Sequence, residues 1–88
     1  MSGYLGMNPE DMKQLVALLN SKAKRIEEIQ AHLSSLVRST TWDGPDAERF
    51  KSDWDSDHAK KLQRVAHALE EIARSAHREL TQQTQTSH

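Results

Sequence analysis

The chain has no cysteine, so no disulfide staple and no thiolate metal site can hold it together, and redox compartment leaves no mark on it. Only Tyr4, Trp42, Phe50 and Trp54 are aromatic, fewer than an ordinary globular core carries. Its longest apolar run, Leu15 to Leu19, falls far below the roughly 20 residues that span a bilayer, which excludes a membrane span. Charge of one sign is missing as well: 12 basic and 13 acidic residues are scattered along the chain, giving a net charge of −1 and a pI near 6.5. That balance leaves no cationic face for a phosphate backbone and excludes nucleic acid as a partner. Residues 1–6 lack both the basic start and the continuous apolar stretch of a secretory signal peptide, so any export is expected by another route.

What remains is sufficient for one small domain. At 88 residues, with 35% hydrophobic and 28% charged residues, the chain can bury only about 60–65% of its unfolded surface. That composition suits long helices, each with one apolar stripe.

The first helix is announced by Asn8 as N-cap, Pro9 at the first helical position, and Glu10 and Asp11 at the positive end of the dipole. Apolar residues then recur as Met12, Leu15, Val16, Leu19, Ala23, Ile26, Ile29, Leu33, Leu36 and Val37, with Lys22 as the one break. At about 100° per residue they cover an arc of roughly 160°, too wide for a single neighbouring helix. The helix is expected to fade near Ser39, Thr40 and Thr41. Trp42-Asp43-Gly44-Pro45 supplies the one turn signal in the middle of the chain.

A second helix follows, with Asp46 and Glu48 in its first turn and Ala47, Phe50, Trp54, His58, Leu62, Val65, Leu69, Ile72, Ala76 and Leu80 along one face. A short loop between two helices of this length makes them antiparallel neighbours. The expected fold is therefore all-α: a helical hairpin over residues 8–80 with its turn at 40–45, a flexible segment 1–7, and a disordered polar tail 81–88. A lone hairpin leaves apolar area wet, and pairing two into a four-helix-bundle dimer is the simplest cover. The residues assigned to that hairpin or dimer interface are Leu15, Leu19, Ile26, Ile29, Leu33, Leu36, Phe50, Trp54, His58, Leu62, Val65, Leu69 and Ile72.

Chemistry-bearing constellations are scarce. Asp53, Asp55 and Asp57 imitate the opening of a calcium loop, but the required Gly is His58 and the closing Glu is Arg64. His32, His58, His67, His77 and His88 include no pair three or four apart, so no metal ligand set is expected. Because His58 falls within the stripe, it is expected to be a packed histidine with a satisfied ring nitrogen, and a sharper reading has its protonation in mild acid loosen the assembly. No nucleophile stands near a base and no Gly-rich phosphate loop is present, so no catalytic residue, cofactor or enzymatic activity is expected.

Trp42-Asp43-Gly44 is a Trp-x-Gly turn near the midpoint of two amphipathic helices in a chain of fewer than a hundred residues, with Phe50 and Trp54 downstream. Over residues 8–80 the chain resembles the WXG-hundred family, the early-secreted-antigen-like small helical proteins of bacterial type VII secretion. The resemblance implies a non-enzymatic substrate exported as a folded dimer and acting through protein–protein contact, with Trp42 and Gly44 as its secretion and turn motif. It also implies a cytoplasmic pool before signal-peptide-independent secretion. The implied partners are a second copy or a related small helical protein, the N-terminal domain of a toxin or effector, and the secretion ATPase. In that family the Trp-x-Gly turn sits beside a Tyr-x-x-x-acid motif following helix two of the partner. Here Tyr4 is the only tyrosine, so a heterodimer whose other chain supplies the tyrosine is one resolution. The alternative reading is a cytosolic helical adaptor or chaperone that covers the apolar stripe of a larger effector. Trp42 is expected to plug the open end of the hairpin, and Gly44 to serve by its backbone freedom.

Overall fold

The computed structural model describes residues 7–86, with side chains to residue 83. The chain forms an antiparallel helical hairpin: α1 (Pro9–Ser39) packs along a second rod built from α2 (Pro45–Asp53), a five-residue π-helical turn (Trp54–His58) and α3 (Ala59–Thr86). The rod-like molecule measures 65 × 16 × 16 Å, and its 19.4 Å radius of gyration compares with about 12 Å for a compact domain of this length.

The ends of α1 are set locally. The Asn8 Oδ1 accepts from the Glu10 and Asp11 N–H groups at 2.9 and 3.1 Å, satisfying two of the donors that a helix start leaves free. At the other end the Thr40 N–H and hydroxyl both donate to the Leu36 carbonyl, and Lys51 Nζ reaches the Thr40 carbonyl at 3.2 Å. Residues 40–44 then run without helix to Gly44, which stands at the N-cap of α2 with φ +111° and ψ 171°. This region is nearly closed to residues with a Cβ, so glycine is required there for its backbone alone. Pro45 follows at the first helical position, as the sequence expects.

Alanine fills the seam between the rods. Ala23, Ala47, Ala66 and Ala73 are each 1% exposed, Ala59 and Leu80 are buried beside them, and among the described residues no large side chain is fully buried. In α3 the seam positions Ala59, Ala66, Ala73 and Leu80 repeat every seven residues, interleaved with half-buried Leu62, Leu69 and Ala76. In α1 Met12, Val16, Leu19, Ala23 and Ile26 alternate at four and three in the same way. Small residues let the two backbones approach closely beside these half-buried ones, and Leu15, Leu18, Ile29, Leu33, Leu36, Val65 and Ile72 are left on the flanks.

Two expectations are corrected here. The second helix is interrupted: the Ala59 N–H bonds to the Trp54 carbonyl five residues back, so the turn holds one residue more than an α-turn. Ala59 thereby takes the seam place that His58 would occupy in an unbroken helix, and His58 moves to the flank with half of its side chain exposed. The buried cation behind the acid-loosening expectation is therefore not present within the hairpin. Next, α3 runs to Thr86, six residues beyond the expected end at residue 80. The expected flexible segment 1–7, apart from Met7, and residues 87–88 of the expected disordered tail lie outside the described residues. No helix among the described residues is long and apolar enough to cross a membrane.

Candidate interaction surface

Opposite flanks of the seam differ in chemistry. On one side Glu27, Gln30, Gln63 and His67 line a shared cleft; Ala31, Arg38, Asp55 and Lys60 line its continuation, and Asn20, Arg74 and His77 flank the seam further along. Gln63 Nε2 donates to Gln30 Oε1 across this side at 3.3 Å. It is a polar flank, bridged by its own amides.

Since both helices contribute to that polar side, their remaining flanks fall together on the other. There α1 presents Leu15, Leu18, Ile29, Leu33 and Leu36, and α3 presents Val65 and Ile72, all between 39% and 53% exposed. The strip ends at the turn in a groove of about 250 Å³ lined by Leu33, Leu36, Val37, Thr40, Trp42, Phe50 and Lys51. Within it the Trp42 and Phe50 rings lie tilted at 50° with centroids 5.6 Å apart, an attractive aromatic geometry. Each ring is nonetheless 44% exposed, so Trp42 caps a groove and is not the buried plug the sequence suggests.

The sequence-assigned interface residues therefore divide. Leu19, Ile26, Trp54, Leu62 and Leu69 are half-buried in the hairpin seam, whereas Leu15, Ile29, Leu33, Leu36, Phe50, Val65 and Ile72 lie on the open apolar flank, and His58 lies beside them. Sequence reasoning missed Ala59, Ala66 and Ala73, whose strict spacing of seven was the available signal, and it missed Ser34. That serine is buried, and its Oγ accepts from Gln30 Nε2 at 2.7 Å and Trp54 Nε1 at 2.8 Å. With the Gln63–Gln30 bond, this makes a polar chain from α3 through α1 to the π turn, fixing which residues face one another.

The π turn has its own supports. Ser56 Oγ donates to the Ser52 carbonyl at 2.8 Å, Lys61 Nζ pairs with Asp57 at 3.1 Å, and the His58 ring leans on Trp54 with centroids 6.3 Å apart. Asp57 serves as a salt-bridge partner on the helix surface. Among the described residues no three metal-binding side chains converge.

The chain presents 6701 Å² to solvent, about 1500 Å² more than a compact 10 kDa monomer would, and a standard protein–protein interface buries about 1600 Å² in total. No family model, curated protein or solved structure matches the chain.

Proposed function

We propose that this chain is a non-enzymatic binding protein of WXG type, a substrate of a bacterial type VII secretion system that leaves the cell as a folded helical dimer and acts by protein–protein contact. One observation carries the reading: an exposed apolar flank, broken at Lys22 and Arg25, leads from Leu15 to an exposed groove where Trp42 and Phe50 sit beside the glycine turn. A hairpin with an alanine seam and its large residues outside has placed its hydrophobic surface where another chain can cover it. Trp42, half in the groove and half in solvent, is available to a recognition partner such as the secretion ATPase.

The lack of any tyrosine beyond Tyr4 favours a second reading, a cytosolic adaptor that pairs with the helical N-terminal domain of a larger effector. Expression in a bacterium with a working type VII system separates the two. The secretion reading expects the intact chain in the culture medium, lost from the medium but retained in the cell for Trp42→Ala and in a strain lacking the secretion ATPase. Retention of the wild-type chain in the cytosol, bound to a larger effector, would support the adaptor instead.

A further inference from the structure

The apolar flank is not uniformly apolar, and its charges select a partner. Two lines of α1 residues build its side of the face: Leu15, Lys22, Ile29 and Leu36 in one, and Asp11, Leu18, Arg25 and His32 in the other, each repeating every seven residues. Lys22 and Arg25 thus stand midway along the strip. Both are exposed, and among the described residues neither has an ion-pair partner. The α3 side of the face runs His58, Val65, Ile72 and Glu79 in one line and Lys61, Ala68, Ser75 and Gln82 in the other, so no carboxylate stands opposite them. Lys61 is already held by Asp57. Asp11 and Glu79 lie at the far end, while Glu28 and Glu71 are exposed on the outer rims, about 40° around the helix from the nearest of these lines.

We infer that this face is built for a different chain, one whose apolar helical surface carries carboxylates at its centre, and not for a second copy. The inference rests on the reading of the apolar flank as the association surface. A centred two-fold pairing of this face either stacks α1 on α1 of the copy and sets Lys22 and Arg25 against themselves, or stacks α1 on α3 of the copy and sets them against its Val65, Ala68 and Ile72, so in neither case does a carboxylate meet them. Covering these cations with apolar surface of like charge removes their water and supplies no counter-charge, a cost that grows as the local dielectric falls. A chain with an Asp or Glu at that level converts the same two cations into charge-assisted pairs, so the break in the stripe acts as a selectivity element.

A charge-swapped copy of the chain, carrying Lys22→Glu and Arg25→Glu, imitates such a partner while keeping the apolar strip unchanged. Fluorescently labelled wild-type chain is titrated with unlabelled wild type or with the swapped variant, following anisotropy, after circular dichroism confirms that both are helical. The swapped variant should bind the wild type at least tenfold more tightly than the wild type binds itself, and 1 M salt should shrink the gap. Equal affinities at low salt would overturn the inference and leave the apolar association surface standing. Absence of binding by either helical species overturns the association surface along with it.

Discussion

The indole N–H of Trp54 donates to the Ser34 hydroxyl at 2.8 Å, joining the π turn of the second rod to the buried seam of α1 across twenty residues of sequence. Ser34 also accepts from Gln30, so two donors converge on one oxygen in an otherwise apolar seam. Ser34→Ala strands the indole N–H and the Gln30 amide, and is expected to cost about 1–3 kcal/mol in denaturant unfolding. Trp54→Phe should remove much of the remaining benefit of Ser34, so the double variant costs measurably less than the sum of the singles. Strict additivity in that cycle would mean the bond contributes nothing to stability.

Gly44 makes a cleaner test of backbone strain. A Cβ built there meets nothing within 4 Å, so Gly44→Ala encounters no clash and is opposed only by the φ of +111°. We expect a loss of about 1–3 kcal/mol from that term, and an Ala variant as stable as wild type would show that the turn relaxes freely.

Trp42→Ala should cost about 1 kcal/mol, reflecting a half-exposed ring and one aromatic contact. Full burial of such a ring would cost about 3–5 kcal/mol on truncation. Thermal unfolding of the isolated chain decides between these, and a large loss would put Trp42 back in a core.

Alanine in the seam should resist enlargement. Ala66→Leu or Ala73→Leu must separate rods packed at 1% exposure and is expected to destabilise by about 1–3 kcal/mol or more. The exposed neighbour substitution Ala68→Leu should stay within about 0.5 kcal/mol of wild type. Equal melting of all three would contradict close packing along the seam.

The π turn holds one residue more than an α-turn, so deleting Ser56 should let the rod close as continuous α-helix. Seam positions 47, 51 and 54 would then lead into Ala59 and Leu62 at unbroken spacings of four and three. The deletion is expected to keep helicity and raise the melting temperature, whereas deletion of Lys60, beyond the turn, should raise it less or lower it, because closing the helix there puts His58 in the seam place of Ala59. The reverse order would mean the extra residue is not accommodated at the π turn.

Much was legible in the sequence because it was local. Asn8, Pro9, Glu10 and Asp11 set the start of α1, Gly44 and Pro45 set the start of α2, and apolar residues every three or four positions made both rods amphipathic. Those features act within a turn or two of chain, where capping, dihedral preference and periodicity suffice. The width of the stripe likewise announced that one neighbour cannot cover it.

Which apolar residues face inward was decided only by the pairing of the rods. Large side chains carry the stronger hydrophobic signal, so sequence reasoning put Phe50, His58, Val65 and Ile72 in one stripe with Leu62 and Leu69. Close approach of two helices instead brings in the small residues Ala59, Ala66 and Ala73 beside Leu62 and Leu69, and sends Phe50, Val65 and Ile72 outward. The π turn belongs to the same class: spacings of four in a row at Phe50, Trp54, His58 and Leu62 mark a register drift, but only the neighbouring α1, with Ser34 holding Trp54, determines that one extra residue absorbs it. Sequence by itself determined two amphipathic helices, the turn between them and the break at Lys22; tertiary packing decided that alanines fill the tightest seam positions, that Trp42 stays half in solvent, and that the face holding Lys22 and Arg25 is left exposed, because each depends on how closely two rods can approach.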